Sequence, residues 1–210
     1  MDNKKKLCAV GKAMKDGGLV AACDGNISYR RDDGLIVITP SGLPKGELRP
    51  KDLLVVDLEG TVIEGTGKPS SETALHLTIY RKRQDVRAII HAHPVTATAL
   101  TVAGIPFAAD IVTEGAMVLG AVPTVPYAPP GSSALAEGCG AAAETASAFL
   151  MERHGAVTVG ADLKEAFYRM DTLEAVAKMY RDSLVFSLAG GDKGNTTTKA
   201  KPLSWYLKQM

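Results

Sequence analysis

At 210 residues and 22.0 kDa the chain has the length of one ordinary domain. With 46% hydrophobic and 22% charged residues it can bury a sizeable core, which excludes the disordered, collagen-like and coiled-coil classes. Its 24 Lys and Arg against 23 Asp and Glu leave no cationic excess for a nucleic acid or an anionic membrane, so neither partner is expected.

The basic start Lys4-Lys5-Lys6 is interrupted by Lys12, Lys15 and Asp16 before any apolar signal core could form. No apolar run approaches the roughly 20 residues of a membrane span. Leu7, Val10, Gly11 and Met14 fall at helical spacing and Gly17-Gly18 supplies a stop, so a first helix is predicted over 4–17. Two hairpins follow: 27–31 with 35–39 around Asp33-Gly34, and 53–58 with 61–64 around Glu59-Gly60. From residue 70 helices and strands alternate: helix 71–83, strand 86–93, helix 96–103, strand 122–127, helix 132–149, strand 156–159 and helix 162–188. Hairpins followed by crossovers predict an α/β protein, a three-layer α/β/α sandwich on a mixed, largely antiparallel sheet. Residues 1–189 form the domain; the Gly-, Asp- and Thr-rich stretch 190–210 reads as a flexible tail with an apolar tip at Trp205 and Tyr206. Cys8, Cys23 and Cys139 are odd in number and far apart, which suits reduced thiols in a cytoplasm.

Four histidines occur, and two of them make His91-Ala92-His93 at the end of an apolar strand. Strand side chains alternate faces, so both imidazoles point the same way and can share one ion. His154, read as ending a helix just before the strand that opens at Gly155, is placed where strand ends gather loops into a crevice. Three nitrogens with an open fourth position make a catalytic zinc-type site; a structural site would be closed by four ligands. An isolated His-x-His is equally well explained as two packed histidines, and the third histidine together with the next motif argues against that. That motif, Lys68-Pro69-Ser70-Ser71-Glu72, opens a helix where backbone N–H groups point outward and attract anions. Its plain reading is a serine cap followed by a carboxylate favoured by the helix dipole. The turns Gly25-Asn26-Ile27-Ser28 and Thr39-Pro40-Ser41-Gly42 could add donors to a phosphate cradle. His76, four residues after Glu72, shares its helical face and suits orienting or packing; Glu114 suits a helix cap.

Taken in order, the two Gly/Ser turns, Lys68-Pro69-Ser70-Ser71-Glu72, His91-Ala92-His93-Pro94 and Arg153-His154-Gly155 resemble the class II aldolase family over about residues 7–188. The resemblance implies a divalent metal, usually zinc, with manganese or cobalt as alternatives, on His91, His93 and His154. It implies Glu72 as the acid/base, phosphate held by Asn26, Ser41, Gly42, Ser70 and Ser71 with Gly25 shaping the turn, and a fourfold homotetramer with sites between subunits. The activity implied is reversible cleavage of a ketose 1-phosphate to dihydroxyacetone phosphate and an aldehyde. The family's aldehyde-side tyrosine would fall within 107–118, where this sequence has none; Tyr206 is the alternative acid. The missing tyrosine and the apolar run Ile105-Pro106-Phe107 suggest a 5-deoxy or 5-methylthio ribulose 1-phosphate as readily as a fuculose-like one. Ribulose-phosphate 4-epimerases, dehydratases and decarboxylases share the fold. Glu72, where epimerases carry Asp, favours aldol cleavage, and the intact histidines argue against a non-enzymatic adducin-like module.

Overall fold

The computed structural model describes residues 3–189. Its eight strands are β1 (Asn26–Arg30), β2 (Ile36–Ile38), β3 (Leu54–Val56), β4 (Val62–Glu64), β5 (Ala88–Ala92), β6 (Thr124–Val125), β7 (Ala148–Met151) and β8 (Gly155–Gly160). They form one sheet in the order β4-β3-β2-β1-β5-β8-β7-β6. Every pairing is antiparallel except β6 with β7. Six α-helices flank it: α1 (Asn3–Asp16), α2 (Thr73–Lys82), α3 (Val95–Val102), α4 (Thr113–Val118), α5 (Ser133–Thr145) and α6 (Leu163–Ala189).

Strand alternation divides the apolar side chains into two cores and so makes three layers. Ala88, Ile90 and Ala92 of β5 join Leu7 and Met14 of α1, Leu100 of α3 and Met170 and Leu173 of α6. Ile89 faces the other way, with Leu75 and Ile79 of α2 and Leu135 and Cys139 of α5. His91 shares the parity of Ile89, and therefore the α2 face.

Register brings the chemistry to one end of the sheet. Asn26, the first residue of β1, pairs with His91, and Ala92 pairs with Ala156 at the start of β8. The β7–β8 hairpin turn, 152–154, therefore lies beside the end of β5. His154 sits in that turn and not at a helix end as the sequence suggested, preceded by Arg153 at φ 56°. The predicted helix 132–149 stops at Thr145, and Ala148–Met151 is a strand. No Gly or Pro marks the break, and a strand buried on both faces has the same apolar run as a helix continuation. The expected strand 122–127 shrinks to two residues, and α4, unforeseen, carries Glu114 exposed in its first turn.

One buried carboxylate locks the segment after the histidines. Glu174 of α6 is 4% exposed and accepts hydrogen bonds from the backbone N–H of Thr96 (3.0 and 3.1 Å) and of Ala97 (3.0 Å). It caps α3, whose own preceding residue, Pro94, has no side chain to offer. Glu174→Ala would orphan those donors and should lower unfolding stability by roughly 2 kcal/mol. Glu174→Gln, which keeps an acceptor, should lose less, with urea denaturation as the measurement.

Candidate metal centre

The three histidine rings meet pairwise, with centroids 4.8, 4.9 and 5.2 Å apart. One ligating atom from each of His91, His93 and His154 lies within 4.8 Å of the others. Two glycines make the approach possible. A Cβ on Gly155 would stand 2.4 Å from the Ala92 carbonyl and 2.8 Å from the His93 ring, and one on Gly25 would stand 2.6 Å from the His91 carbonyl.

Hydrogen bonding sets the protons. His91 is fully buried, and its Nδ1 lies 3.0 Å from the Ala156 carbonyl, which can only accept. The proton therefore belongs on Nδ1, and Nε2 carries a lone pair. That nitrogen stands 3.1 Å from His93 Nε2 and 2.9 Å from Glu72 Oε2. Glu72 Oε1 lies 3.2 Å from His154 Nε2 without a hydrogen bond, and His154 Nδ1 is buried without a partner among the described residues. Lone pairs and a carboxylate facing one another at such distances need a cation among them, a proton or a metal ion. Three imidazoles and a carboxylate are the donor set of a divalent transition metal, so the residues fit one.

With a proton as that cation, burial pushes the Glu72 carboxyl up, but the contacts with His91 and His154 and the Asn26 amide outweigh it and hold it well below the usual carboxylate range. Burial and the neighbouring His91 push His93 down to about 4 and His76 to about 3; His154 is lowered for the same reasons.

Behind Glu72 runs a chain of hydrogen bonds whose direction can be deduced. An ionised Glu72 cannot donate, so Asn26 Nδ2 donates to Oε2 (3.0 Å) and to Ser70 Oγ (3.0 Å). Asn26 Oδ1 must then accept from His76 Nε2 (2.5 Å), which leaves His76 Nδ1 to accept from Ser28 Oγ (2.6 Å). Ser28 Oγ in turn accepts from the buried Tyr80 hydroxyl (2.8 Å). His76 thus acts on Glu72 through Asn26. Both side-chain amide hydrogens of Asn26 are engaged inside the protein, where they hold Ser70 and Glu72.

The other sequence candidates line one cleft of about 310 Å³ with Glu72, His93 and His154: Gly25, Asn26, Ser41, Gly42, Ser70 and Ser71. A backbone bridge between Pro40 and Pro69, and the Ser41 N–H bonded to the Lys68 carbonyl at 2.9 Å, bring the two serine turns together. Neither serine caps α2. The cap position is Glu72, whose side chain makes no capping bond, and Ser70 Oγ instead accepts from Asn26 and from the Glu72 N–H. Ile105 and Phe107 pack on the core, Phe107 against Tyr180, and do not line the cleft. Trp205 and Tyr206 lie outside the described residues. Sequence reasoning missed Asp24, whose carboxylate is 3.6 Å from His93 Nδ1, and Glu174. A charged residue four positions after Met170 and three before Ala177, within an apolar helical stripe, was the available signal for Glu174.

These shifts set a pH window. His76 and His93 take up protons at about 6.5 in the unfolded chain but only near 3 and 4 when folded. Below pH ~6.5 the unfolded state therefore binds more protons, and stability falls with pH at up to about 1.4 kcal/mol per unit for each such histidine. Glu72 adds in the same direction once pH drops below its unfolded value. Urea midpoints should be level near neutrality and decline from pH ~6.5 towards 4. A bound divalent metal, about one per chain by elemental analysis, should leave over the same range and be absent from His91→Ala and His154→Ala.

Residues 5–181 match the family described as Class II Aldolase and Adducin N-terminal domain. The chain is 35% identical over 181 residues to the 5-deoxy-D-ribulose 1-phosphate aldolase of Bacillus thuringiensis serovar kurstaki, covering 84% of this chain and 83% of that one. It is likewise 35% identical over 185 residues to the 3-oxo-tetronate 4-phosphate decarboxylase of Haemophilus influenzae, covering 84% and 86%. The crystal structure of L-fuculose-1-phosphate aldolase from Thermus thermophilus superposes with a TM-score of 0.79 at 31% identity, covering 91% of this chain and 97% of that one. The chain therefore belongs to the class II aldolase family and is an enzyme of its metal-dependent type.

Proposed function

We propose that the protein reversibly cleaves a ketose 1-phosphate to dihydroxyacetone phosphate and an aldehyde, with a 5-deoxy- or 5-methylthio-ribulose or fuculose-like 1-phosphate as substrate. The observation that carries this reading is Glu72: a buried, ionised carboxylate 2.9 Å from His91, fixed through Asn26 by the His76 chain. His91, His93 and His154 would hold the ion, for which zinc is proposed ahead of manganese or cobalt. What such an ion supplies is Lewis-acid stabilisation of negative charge on the substrate's oxygens. In cleavage the C3–C4 bond breaks, its electron pair passes to the C3 side, and C4 becomes the aldehyde carbon as its hydroxyl loses a proton, which is relayed to the ionised Glu72. Glu72 delivers the proton to C3 and, in the reverse direction, removes it. Ser41, Gly42, Ser70 and Ser71 would hold the phosphate, with Gly25 and Asn26 shaping that wall. Tyr206 is the proposed acid on the aldehyde side. Burial beside the metal ligands raises every charge–charge interaction at Glu72, which is why the carboxylate is buried and hydrogen-bonded and not solvated. A homotetramer in the cytoplasm is the assembly and location proposed with this activity.

Decarboxylation is the second reading, because the Haemophilus influenzae decarboxylase is as similar to this chain as the Bacillus aldolase. A 4-epimerase is disfavoured by Glu where Asp is expected.

A panel of ketose 1-phosphates, L-ribulose 5-phosphate and 3-oxo-tetronate 4-phosphate should yield dihydroxyacetone phosphate from at least one ketose 1-phosphate; carbon dioxide release alone would install the decarboxylase reading. Glu72→Gln keeps an acceptor for Asn26 but cannot carry the proton. Its kcat should fall ~100-fold or more with the fold retained. It should also lose the exchange of one hydroxymethyl hydrogen of dihydroxyacetone phosphate with deuterated solvent.

A further inference from the structure

Two loops meet on the wall of the cleft, the one that carries Cys23, Asp24 and Gly25 and the one that carries Ser41, Gly42 and Leu43. Cys23 Sγ reaches the Gly42 carbonyl across them at 3.2 Å, and the buried side chain that ties both is Lys45, which is 1% exposed. Its ammonium donates to the Cys23 carbonyl at 2.9 Å and to the Leu43 carbonyl at 2.8 Å. Both partners are neutral, and among the described residues no carboxylate is in ion-pair contact with it; the nearby Asp24 is directed instead at His93. An ammonium has three donors, so one is left over. Lys45 is also the one lysine or arginine among the described residues lining the cleft that holds Ser41, Gly42, Ser70 and Ser71.

A lone buried charge is costly to keep, and a fold retains one where something repays the lost hydration. Burial accordingly pushes the Lys45 pKa down, with Cys23 and Asp24 opposing it in part. Two carbonyl dipoles compensate incompletely. The remaining donors along this wall are hydroxyls and backbone N–H groups, which orient an anion without neutralising it. We propose that Lys45 is the charge-bearing residue of the anion cradle, its buried ammonium being the cation that the phosphate dianion of a substrate compensates. This rests on the phosphate reading given above. A bound dianion strengthens the charge-assisted hydrogen bonds of the wall, and the two loops, both anchored on the same ammonium, close on it as one unit.

A lysine that only fastens two loops predicts a different response to substitution. Removing an uncompensated buried charge should leave the ligand-free protein at least as stable, whereas removing a fastener should destabilise it. Lys45→Gln sharpens the contrast, since its amide keeps two donors for the carbonyls and lacks the charge. With the metal-loaded enzyme, inorganic phosphate should raise the wild-type Tm and compete with the ketose phosphate. In both Lys45→Met and Lys45→Gln the apparent phosphate affinity should weaken roughly ten-fold or more and KM should rise in parallel, with kcat within about threefold and the ligand-free Tm not lowered. Wild-type phosphate affinity in Lys45→Gln would overturn the proposal, and so would a lowered ligand-free Tm accompanying the loss in both variants. If Lys45→Met fails to fold, Lys45→Gln decides alone. A wild type that neither binds phosphate nor turns over any sugar phosphate would overturn the phosphate reading itself, a result visible before any variant is made.

Discussion

Glu72 with His91 and His154, and His91 with His93, put a carboxylate and imidazole nitrogens about 3 Å from their neighbours, a contact that repels unless a cation lies among them. Much of the surrounding structure serves to keep that arrangement from relaxing. The Ala156 carbonyl turns the His91 lone pair inward, Glu174 fixes the helix that leaves His93, and the absence of a Cβ at Gly155 lets β8 approach the ring. Each of these costs something in isolation: a buried carboxylate, a buried charged lysine, glycines within or beside strands. The two apolar cores on either side of the sheet supply the stability that offsets them.

Antiparallel register is what converts residues far apart in sequence into one centre. Asn26 opposite His91, and Ala156 opposite Ala92, follow from strand pairing alone, and the short β7–β8 turn then has only one place to present His154. A one-residue slip of β5 would send both histidines into the opposite core. The same pairing fixes Ser28 against His76, so the chain from Tyr80 to Glu72 is as much a product of register as the histidine set is.

What could be read from the sequence was whatever depended on short-range periodicity. His91 and His93 share a face because strands alternate, and Glu72 and His76 share one because helices turn in 3.6 residues. The six α-helix count was missed by one, since α4 is short and carries no apolar stripe of its own. The break between α5 and β7 was invisible because Ala-rich helix and doubly buried strand have the same composition there. Lys45 followed a Gly-Leu-Pro turn that reads as exposed loop, and no local pattern distinguishes a buried lysine from a solvated one. Asn26 lines the cleft, but the engagement of its two side-chain amide hydrogens with Ser70 and Glu72 shows only once the positions of Glu72 and His76 are known.

Aldol cleavage and decarboxylation both leave an electron pair on the carbon beside a carbonyl, so one arrangement of stabilising groups and one proton carrier serve either reaction. This accounts for two relatives with different activities standing at the same 35% identity to the chain. The groups that distinguish the reactions must contact what leaves, an aldehyde or carbon dioxide. Among the described residues of the cleft, the side chains beyond the histidines and Glu72 are mostly small or polar and gather on the side of the serine turns. In the function proposed above they would hold the half of the substrate that both reactions share. On that proposal discrimination would belong to the groups that close the opposite side of the site, beyond Glu72, where a single added acid or apolar wall would select between leaving groups without altering the centre that handles the charge.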